Sequence, residues 1–588
     1  MGKPKPASAT AAPRGHKRRP KRTRPSGKGG GPEPREEKRK RRELDGVGLA
    51  EEAPPPGSSL GKILSTESGA IGLEQSDEDD MEDEHTVPGD DETNDMINNK
   101  DDAFDEMEAS CRIITNEEVN ALLKQKCKFK WEVPAEDIPK SKWVGTGEKM
   151  EGAYVDLIGG VKGKLRDHWQ NTLSDQLNSR LNFFSLCSSY RDIMHCNKKP
   201  FYLKGGSAVD SSTMDSYLMH ALNHINRTRE IVVKNDAKLR SDPSKDILDD
   251  NSFLDQGFTR PKVLFLLPLK SIARRVVKRL IQLSPLSQKD IIAKFEGKFG
   301  ESDDEVEEQS NKPADFDLLF AGDTDDEFLF GIKYTKKSMN LFSNFYSSDI
   351  IVASPLALIK KINGVDDNGK EPAKERDFDF LSSIESWSHL YAVFEQLNQL
   401  PSKEHGTNVM RIRPWYLDQH ARYYRQTILL SSYLTPEMNA LFNGLCLNYE
   451  GKVKLVTEFK GVLSKIQFEA PQVYERFDAS SITEVDDARF DHFCKKVYPK
   501  IQESDEDNIA TRYITCKTLI RGAHHLIIYS LPGRKEFYPE LVNMLSESEN
   551  RKCTVFFSRL DLLKLERIVG TFAAQRLVSS DKSIFVFR

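Results

Sequence analysis

Short apolar runs alternate with amphipathic segments over most of the chain after residue 160. The run at residues 262–268 is apolar after its first lysine and ends at a proline, which is typical of a strand buried on both faces of a parallel sheet. Apolar residues at helical spacing follow over residues 272–283, with Ser271 as the expected N-cap. The same succession recurs at residues 349–362 and 427–445. It predicts a parallel α/β sheet of the doubly wound type.

The C-terminal part repeats this alternation and predicts a second α/β domain. We place a first domain at residues 161–460 and a second, shortened one at residues 461–588. A partly ordered linker at 109–160 and a charged tail at 1–108 are expected before them. The strands expected in the second domain are residues 525–530, 553–557 and 583–587.

Helices are also expected ahead of the first strand. Trp131, Trp143 and Trp169 lie in a stretch where apolar residues begin to recur at helical spacing. An amphipathic helix is predicted over residues 214–233. A charged linker at 234–252 is expected to separate it from the next element.

Charge is strongly segregated along the 588 residues, although the net charge is only -5. Residues 1–42 carry 16 Lys and Arg against 3 Glu, whereas residues 43–108 carry 22 Asp and Glu against 2 Lys. Neither stretch has an apolar period, so we expect a disordered tail, basic first and then acidic. The rest of the chain is nearly neutral.

Two basic clusters in the tail are typical of nuclear or nucleolar address signals, or of arms that bind phosphates. The alternative is a solvated tail without an address. The clusters consist of Lys17, Arg18, Arg19, Lys21 and Arg22, and of Lys38, Arg39, Lys40, Arg41 and Arg42.

No run of about 18 apolar residues and no secretory leader is present, and the eight cysteines form no Cys-x-x-Cys pair. We therefore expect reduced intracellular thiols and no membrane partner. His524-His525 and the neighbours His195 and Cys196 are expected to pack rather than to bind metal or act as a nucleophile.

The phosphate-binding string G-x-x-x-x-G-K-[ST] is missing from the chain. Its nearest echo is residues 204–207, Lys-Gly-Gly-Ser, where the lysine precedes the glycines and no strand is predicted before it. No buried strand ending in an acidic pair is predicted between residues 363 and 426, where Asp377 and Asp379 are expected to face solvent. We therefore expect no nucleotide cofactor and no hydrolysis.

Several longer strings resemble the digestive organ expansion factor family. They are Gly257–Leu264 (GFTRPKVL), Phe345–Leu356 (FYSSDIIVASPL), Arg376–Ser383 (RDFDFLSS), Tyr423–Thr427 (YYRQT) and Glu536–Tyr538 (EFY). The resemblance implies two RecA-like domains with the shape of a DEAD-box helicase but without its ATP motifs. It also implies a non-catalytic role in the nucleolus, in the small-subunit processome, with pre-rRNA, the U-three small nucleolar RNA and processome proteins as partners. Pre-rRNA processing and 18S rRNA maturation would then depend on it.

The chain departs from that family in two places. A strand ending in an acidic residue is expected after Ser383, but Ile384-Glu385-Ser386 leads directly to Trp387. Strands expected at residues 501–519 are also missing. An interior strand cannot be lost without exposing two strand edges.

Two groups of cations are the candidate RNA contacts, because phosphate contacts position a nucleic acid without reading its sequence. The first group is Lys270, Arg274, Arg275, Lys278 and Arg279, and the second is Arg411, Arg413, Arg422 and Arg425. For the first group, the alternative to RNA binding is a solvated helix face. The second group is interleaved with aromatic residues, and the alternative there is that those aromatics are buried in the core.

Two rival functions remain open at this point. One is an active ATP-dependent RNA helicase with an unrecognised site, and the other is a DNA-associated nuclear regulator. Neither requires a small-molecule substrate other than a nucleotide.

Overall fold

A computed structural model describes most of the chain between residues 112 and 587. The described stretches are 112–124, 128–149, 161–174, 177–197, 208–241, 251–286, 288–299, 323–335, 338–362, 387–401, 405–499, 523–545 and 551–587. Every described element belongs to the unit Asn94–Arg588. The predicted tail, both basic clusters, Asp377 and Asp379 lie outside the described residues.

Thirteen strands and fifteen helices are numbered in chain order. The strands are β1 Trp131–Pro134, β2 Ser141–Gly145, β3 Asp192–His195, β4 Val263–Leu266, β5 Leu329–Tyr334, β6 Met339–Ser343, β7 Ile350–Ala353, β8 Ile428–Leu430, β9 Lys452–Thr457, β10 Gln472–Arg476, β11 His525–Ile528, β12 Lys552–Phe557 and β13 Ile584–Phe587. The helices are α1 Asn116–Lys124, α2 Gly163–Leu173, α3 Asn178–Ser188, α4 Ala208–Ser241, α5 Lys270–Leu283, α6 Gln288–Phe299, α7 Pro355–Ile362, α8 Trp387–Gln396, α9 Pro414–Leu417, α10 Ala421–Tyr424, α11 Pro436–Gly444, α12 Val485–His492, α13 Phe537–Val542, α14 Leu562–Val569 and α15 Thr571–Ser579. None of these helices is long and apolar enough to cross a membrane.

The first sheet has the order β1-β2-β9-β3-β8. Strands β9, β3 and β8 run parallel, and β1 and β2 extend the sheet as an antiparallel hairpin. Helical spacing around Trp131 and Trp143 was therefore a wrong prediction, since both residues lie on strands. Trp143 is buried because its ring packs against Phe183 and His195 from the first domain. Part of the predicted linker 109–160 thus belongs to this sheet.

A second sheet, separate from the first, has the order β4-β7-β5-β6. Strands β4 and β7 are parallel, and β5 is antiparallel to both of its neighbours. Every residue of β7 is buried, as expected for an interior strand. Both faces of β4 pack against apolar clusters, as predicted, but all four of its residues are only half-buried. The reason is that β4 has a neighbour on one side alone among the described strands.

The third sheet, order β11-β12-β10-β13, forms the core of the C-terminal part. Strands β11, β12 and β10 are parallel and β13 is antiparallel, so α/β architecture is confirmed here with one reversed edge. Helix α12 continues directly into the π-helix Phe493–Val497. The segment 501–519, where strands were missed, lies outside the described residues.

Tertiary contacts explain two boundaries that the sequence pattern misplaced. Helix α4 continues to Ser241, through half of the predicted linker, because Asn235 donates to Asp255 (2.8 Å) and the next residue pairs with Arg411. Helix α5 begins at Lys270, one residue before the expected N-cap Ser271. Carbonyls of Asp325 and Asp323 accept the first two amides of α5 (2.9 Å each), so no side-chain cap is needed.

The change from the first sheet to the third follows β9. Gly461 has a φ of +81°, and a Cβ there would lie 2.6 Å from the carbonyl oxygen of Ile568. The chain can pass this close to the end of α14 only if the residue at position 461 has no side chain. Arg567 then reaches back to the first domain, where it stacks on Tyr433 (4.5 Å).

Candidate nucleic-acid interface

The cations of α5 do not stand free on the helix surface. Lys270 Nζ lies 2.6 Å from a carboxylate oxygen of Asp323. Arg274 Nε donates to Glu296 Oε2 (2.9 Å), and Lys278 Nζ lies 2.5 Å from Glu296 Oε1. Partial burial acts to raise the pKa of Glu296, but the hydrogen bonds from Lys278 and Arg274 hold it below the ordinary value. This face of α5 is therefore largely neutralised by acidic residues.

Arg279 belongs to a buried ionic triad. Its guanidinium donates twice to Asp215 (2.6 and 2.9 Å), and Arg180 Nε donates to the same carboxylate at 3.0 Å. Asp215 and Arg180 are almost fully buried. The triad joins α3, α4 and α5, which gives Arg279 a structural role. Arg275 is half-buried on the same helix.

Arg411 is the most deeply buried of the predicted RNA contacts, with 4% of its surface exposed. It donates to Asp255 at 3.1 and 2.5 Å and pairs with Asp236. Burial alone would lower the pKa of Arg411, but its bonds to Asp255 and Asp236 raise it. The guanidinium holds α4 against residues 251–255 and 409–413.

Some of the aromatic residues interleaved with the second group of arginines are buried in the core, which was the alternative to RNA stacking. Trp415 and Tyr423 are buried, and Tyr424 stacks on Trp415 at 4.5 Å between ring centroids. Arg425 is half-buried over Phe394 (4.9 Å), and burial lowers its pKa. These residues therefore offer few aromatic faces for stacking on RNA bases.

Arg413 and Arg422 are the more accessible members of this group. Arg422 is exposed and borders an open cleft of about 290 Å³ between α1 and residues 397–399 and 418–423. Arg413 is half-buried, and its guanidinium lies 5.4 Å from the centre of the Trp415 ring. No acidic side chain among the described residues pairs with either.

A third cation group was missed by the sequence analysis. Arg227, Lys262 and Arg413 all lie close enough to His224 to disfavour its charged form. Burial first, then the neighbouring His220, and then these three cations lower the pKa of His224 to about 3. We call Arg227, Lys262 and Arg413 the β4 basic cluster, because Lys262 directly precedes β4. Within the described part of the chain, neither Lys262 nor Arg413 has a carboxylate partner.

Single cations that border an apolar run have no periodic signal, which is why Lys262 and Arg227 went unnoticed. The tertiary fold brings them together from α4, the start of β4 and the segment before α9. Lys262 and Arg413 can attract anions, since no carboxylate among the described residues is paired with either of them.

The residues considered for other chemistry differ in burial, since His195 and Cys196 are buried whereas His524 and His525 are exposed. Burial raises the pKa of the Cys196 thiol to about 12. His525 Nε2 lies 2.9 Å from the hydroxyl of Thr554. The described residues contain no group of His, Cys, Asp or Glu that could hold a metal ion.

The structure corrects one point about the glycine string at residues 204–207. A strand does precede it, since β3 ends at His195, and helix α4 follows from Ala208. The string itself lies outside the described residues. Its place between a parallel strand and a helix is the place where phosphate-binding loops occur.

Comparison with known proteins identifies the family. Residues 190–453 match the family described as "UTP25, NTP hydrolase-like domain", and residues 509–587 match "Utp25, C-terminal domain". An Arabidopsis thaliana relative, "Protein NUCLEOLAR FACTOR 1", is 46% identical over 571 aligned positions, covering 81% of this chain and 75% of that protein. The chain belongs to the Utp25 family. The resemblance drawn from the sequence strings is thereby confirmed.

Fungal Utp25 relatives are more distant. The proteins titled "U3 small nucleolar RNA-associated protein 25" of Schizosaccharomyces japonicus and Schizosaccharomyces pombe are each 32% identical, over 68% and 73% of this chain and 71% and 74% of theirs. The yeast DEAD-box splicing factor Prp28 aligns with a TM-score of 0.28 at 11% identity, covering 71% of this chain and 85% of that one.

The Arabidopsis alignment also bears on the missing strands. Its 571 positions exceed the number of residues in 81% of a 588-residue chain. The relative therefore carries segments that have no counterpart in this Utp25-family chain.

Proposed function

We propose that this chain is a non-catalytic, RNA-binding scaffold of the small-subunit processome, acting in ribosome biogenesis in the nucleolus. The observation that carries the proposal is family membership, because relatives over most of the chain are named for the U3 small nucleolar RNA and for the nucleolus. Pre-rRNA processing and 18S rRNA maturation are the steps in which it would serve. The basic clusters at residues 17–22 and 38–42 would supply nuclear entry.

RNA contact is assigned first to the β4 basic cluster, together with the exposed Arg422. Lys262 and Arg413 lack acidic partners among the described residues, whereas Lys270, Arg274 and Lys278 on α5 are paired. A cation already neutralised by a carboxylate releases fewer counterions from RNA and contributes less affinity. Arg411 and Arg279 support the fold around this surface.

The non-catalytic part of the proposal is supported by the sequence. The chain contains no G-x-x-x-x-G-K-[ST] string to cradle phosphates and to hold magnesium. The partner surfaces are then RNA and processome proteins, with no small-molecule substrate or cofactor.

The RNA assignment is tested by filter binding of a U3 small nucleolar RNA transcript at several salt concentrations. Lys262→Glu with Arg413→Glu should lower affinity at least tenfold and reduce the salt slope by about 1.4, the loss of two phosphate contacts on single-stranded RNA. Lys333→Glu reverses the charge of a half-buried lysine on β5; it is the control for a single charge reversal away from the cluster and should bind as the parent chain does.

Arg274→Glu with Lys278→Glu tests the helix predicted from sequence. A larger loss from this pair than from the β4 cluster pair would return the contact to α5. Equal binding by all four chains would remove RNA contact from both surfaces. Purification from nuclear extract with RNase or DNase treatment separates the processome proposal from a DNA-associated regulator.

A second candidate, nucleotide binding, rests on the position of residues 204–207 between β3 and α4. Equilibrium dialysis with labelled ATP and magnesium, followed by a phosphate-release assay, tests it. Binding without release would make the chain a nucleotide-responsive scaffold, and turnover would restore the helicase alternative.

A further inference from the structure

Two strands end their sheets in the interior of the fold rather than at its surface. Among the strands that the structure describes, β4 pairs only with β7, and β8 pairs only with β3. Amides of Val263 and Leu267 are bonded to the β7 side, so the backbone groups of Leu264 and Leu266 are directed away from it. By the same alternation, Ile428 and Leu430 direct theirs away from β3.

Helix α4 lies under both of these free edges. The ring of Tyr217 is 6.1 Å from that of Phe265 on β4. One turn further on, His220 Nε2 lies 2.8 Å from the amide oxygen of Gln426, just before β8. Tyr217 and His220 are only about 4.5 Å apart along the helix axis. The two strands therefore approach the same short part of α4 without forming a ladder with each other.

Helix α8 covers the opposite face of both strands. Trp387 and Leu390, at the start of α8, pack in one apolar cluster with Leu429 of β8. Val393, further along α8, and Leu397, directly after its end, pack in another apolar cluster with Leu264 and Leu266 of β4.

Alternate side chains of β4 and β8 face the same two sides. Val263 and Phe265 of β4 face the large core that contains Tyr217, and so do Ile428 and Leu430 of β8. β4 and β8 thus lie in one layer, with α4 on one side and α8 on the other. They form the two walls of a slot.

The walls of this slot are incompletely buried. Every residue of β4 and β8 is half-buried, whereas β7 and β3 are buried throughout. Unpaired backbone groups between two apolar layers are costly, and pairing with an added strand would satisfy them on both sides at once. Strand addition to a sheet edge is a general mode of peptide recognition.

The charge at one end of the slot indicates what could enter it. Lys262 precedes β4 and lies near His224, while Gln426 precedes β8 and contacts the adjacent turn of α4. The β4 basic cluster therefore stands at the end where both walls begin. An extended segment with acidic residues at that end would be held by complementary charge.

We propose that the slot between β4 and β8 is an acceptor for one extended segment of a partner protein, apolar on both faces and acidic where it meets the β4 basic cluster. This goes beyond the proposed RNA contact and does not depend on it.

The test uses the full chain and two synthetic peptides that share the core Val-Ile-Val-Ile, one flanked by aspartates at both ends and one by asparagines. Hydrogen exchange should slow at the amides of Leu264, Leu266, Ile428 and Leu430 together when the aspartate peptide is added. Protection of one wall alone, or of neither, would overturn the proposal. Full protection of both walls before any peptide is added would also overturn it, because the chain's own residues or a second copy would then fill the slot.

Charge recognition is measured by fluorescence anisotropy of the same peptides, labelled. Lys262→Glu should weaken the aspartate peptide about tenfold and leave the asparagine peptide unchanged, because the slot itself is intact. Lys333→Glu on β5 is the control and should change neither affinity. Equal weakening of both peptides by Lys262→Glu would contradict the assigned acidic end.

Discussion

Replacing Arg411 by methionine separates a structural arginine from an RNA contact. Methionine keeps much of the aliphatic volume but leaves Asp255, whose side chain is 1% exposed, without the guanidinium that donates to both of its oxygens. A buried charge that loses its partner costs about 3–5 kcal/mol. Asn235 still donates to Asp255 at 2.8 Å, so we expect the lower part of that range.

The assay for Arg411→Met is urea unfolding followed by tryptophan fluorescence, paired with RNA binding below the transition. For a first domain of about 300 residues, about 3 kcal/mol corresponds to a fall in Tm of roughly 5 °C. RNA affinity should be unchanged while the chain remains folded. The double variant Arg411→Met with Asp255→Asn should recover part of the lost stability, since no unpaired charge is left.

Two results would refute the reasoning about Arg411. A loss of unfolding free energy below about 1 kcal/mol would mean that the Arg411–Asp255 contact is hydrated and contributes as little as a surface pair. A tenfold loss of RNA affinity with unchanged stability would make Arg411 an RNA contact after all.

Three further predictions concern stability and thiol reactivity. Gly461→Ala should cost about 1–3 kcal/mol by urea unfolding because its φ is +81° and its Cβ would meet a carbonyl, whereas Gly297→Ala, open on α6, should stabilise by about 0.5–1 kcal/mol. Burial lowers the pKa of His220 to about 4, so stability should fall as pH drops below the unfolded pKa of 6.5, by about 2 kcal/mol at pH 5, and His220→Gln should flatten that slope in a pH series of melts. Alkylation at pH 8 followed by mass spectrometry should label exposed Cys494 rapidly and buried Cys187 only on unfolding, since burial raises the pKa of the Cys187 thiol. Equal labelling rates for the two thiols would contradict this argument. A stability that does not change with pH would contradict the argument about His220, and an unchanged unfolding free energy of Gly461→Ala would contradict the argument about Gly461.

The sequence by itself determined the local elements and the family. Residues 350–353 form a strand that is buried throughout, because a continuous apolar run offers neither face to water and suits the interior of a sheet. The missing phosphate-binding string and the family strings are properties of residue order alone, and the family match confirmed the latter.

Only the tertiary structure decided which strands are neighbours and which charges are neutralised. Strand β4 has the pattern of an interior strand but lies at an edge, because a pattern gives the faces of a strand and not the number of its partners. Arg411 and Asp255 are 156 residues apart in the chain, so no local spacing could reveal their pairing. The sequence alone predicts that the cations on α5 are available for RNA, but in the folded chain Glu296 and Asp323 pair with them. The sequence shows which residues are charged, but the tertiary structure determines which opposite charges lie beside them.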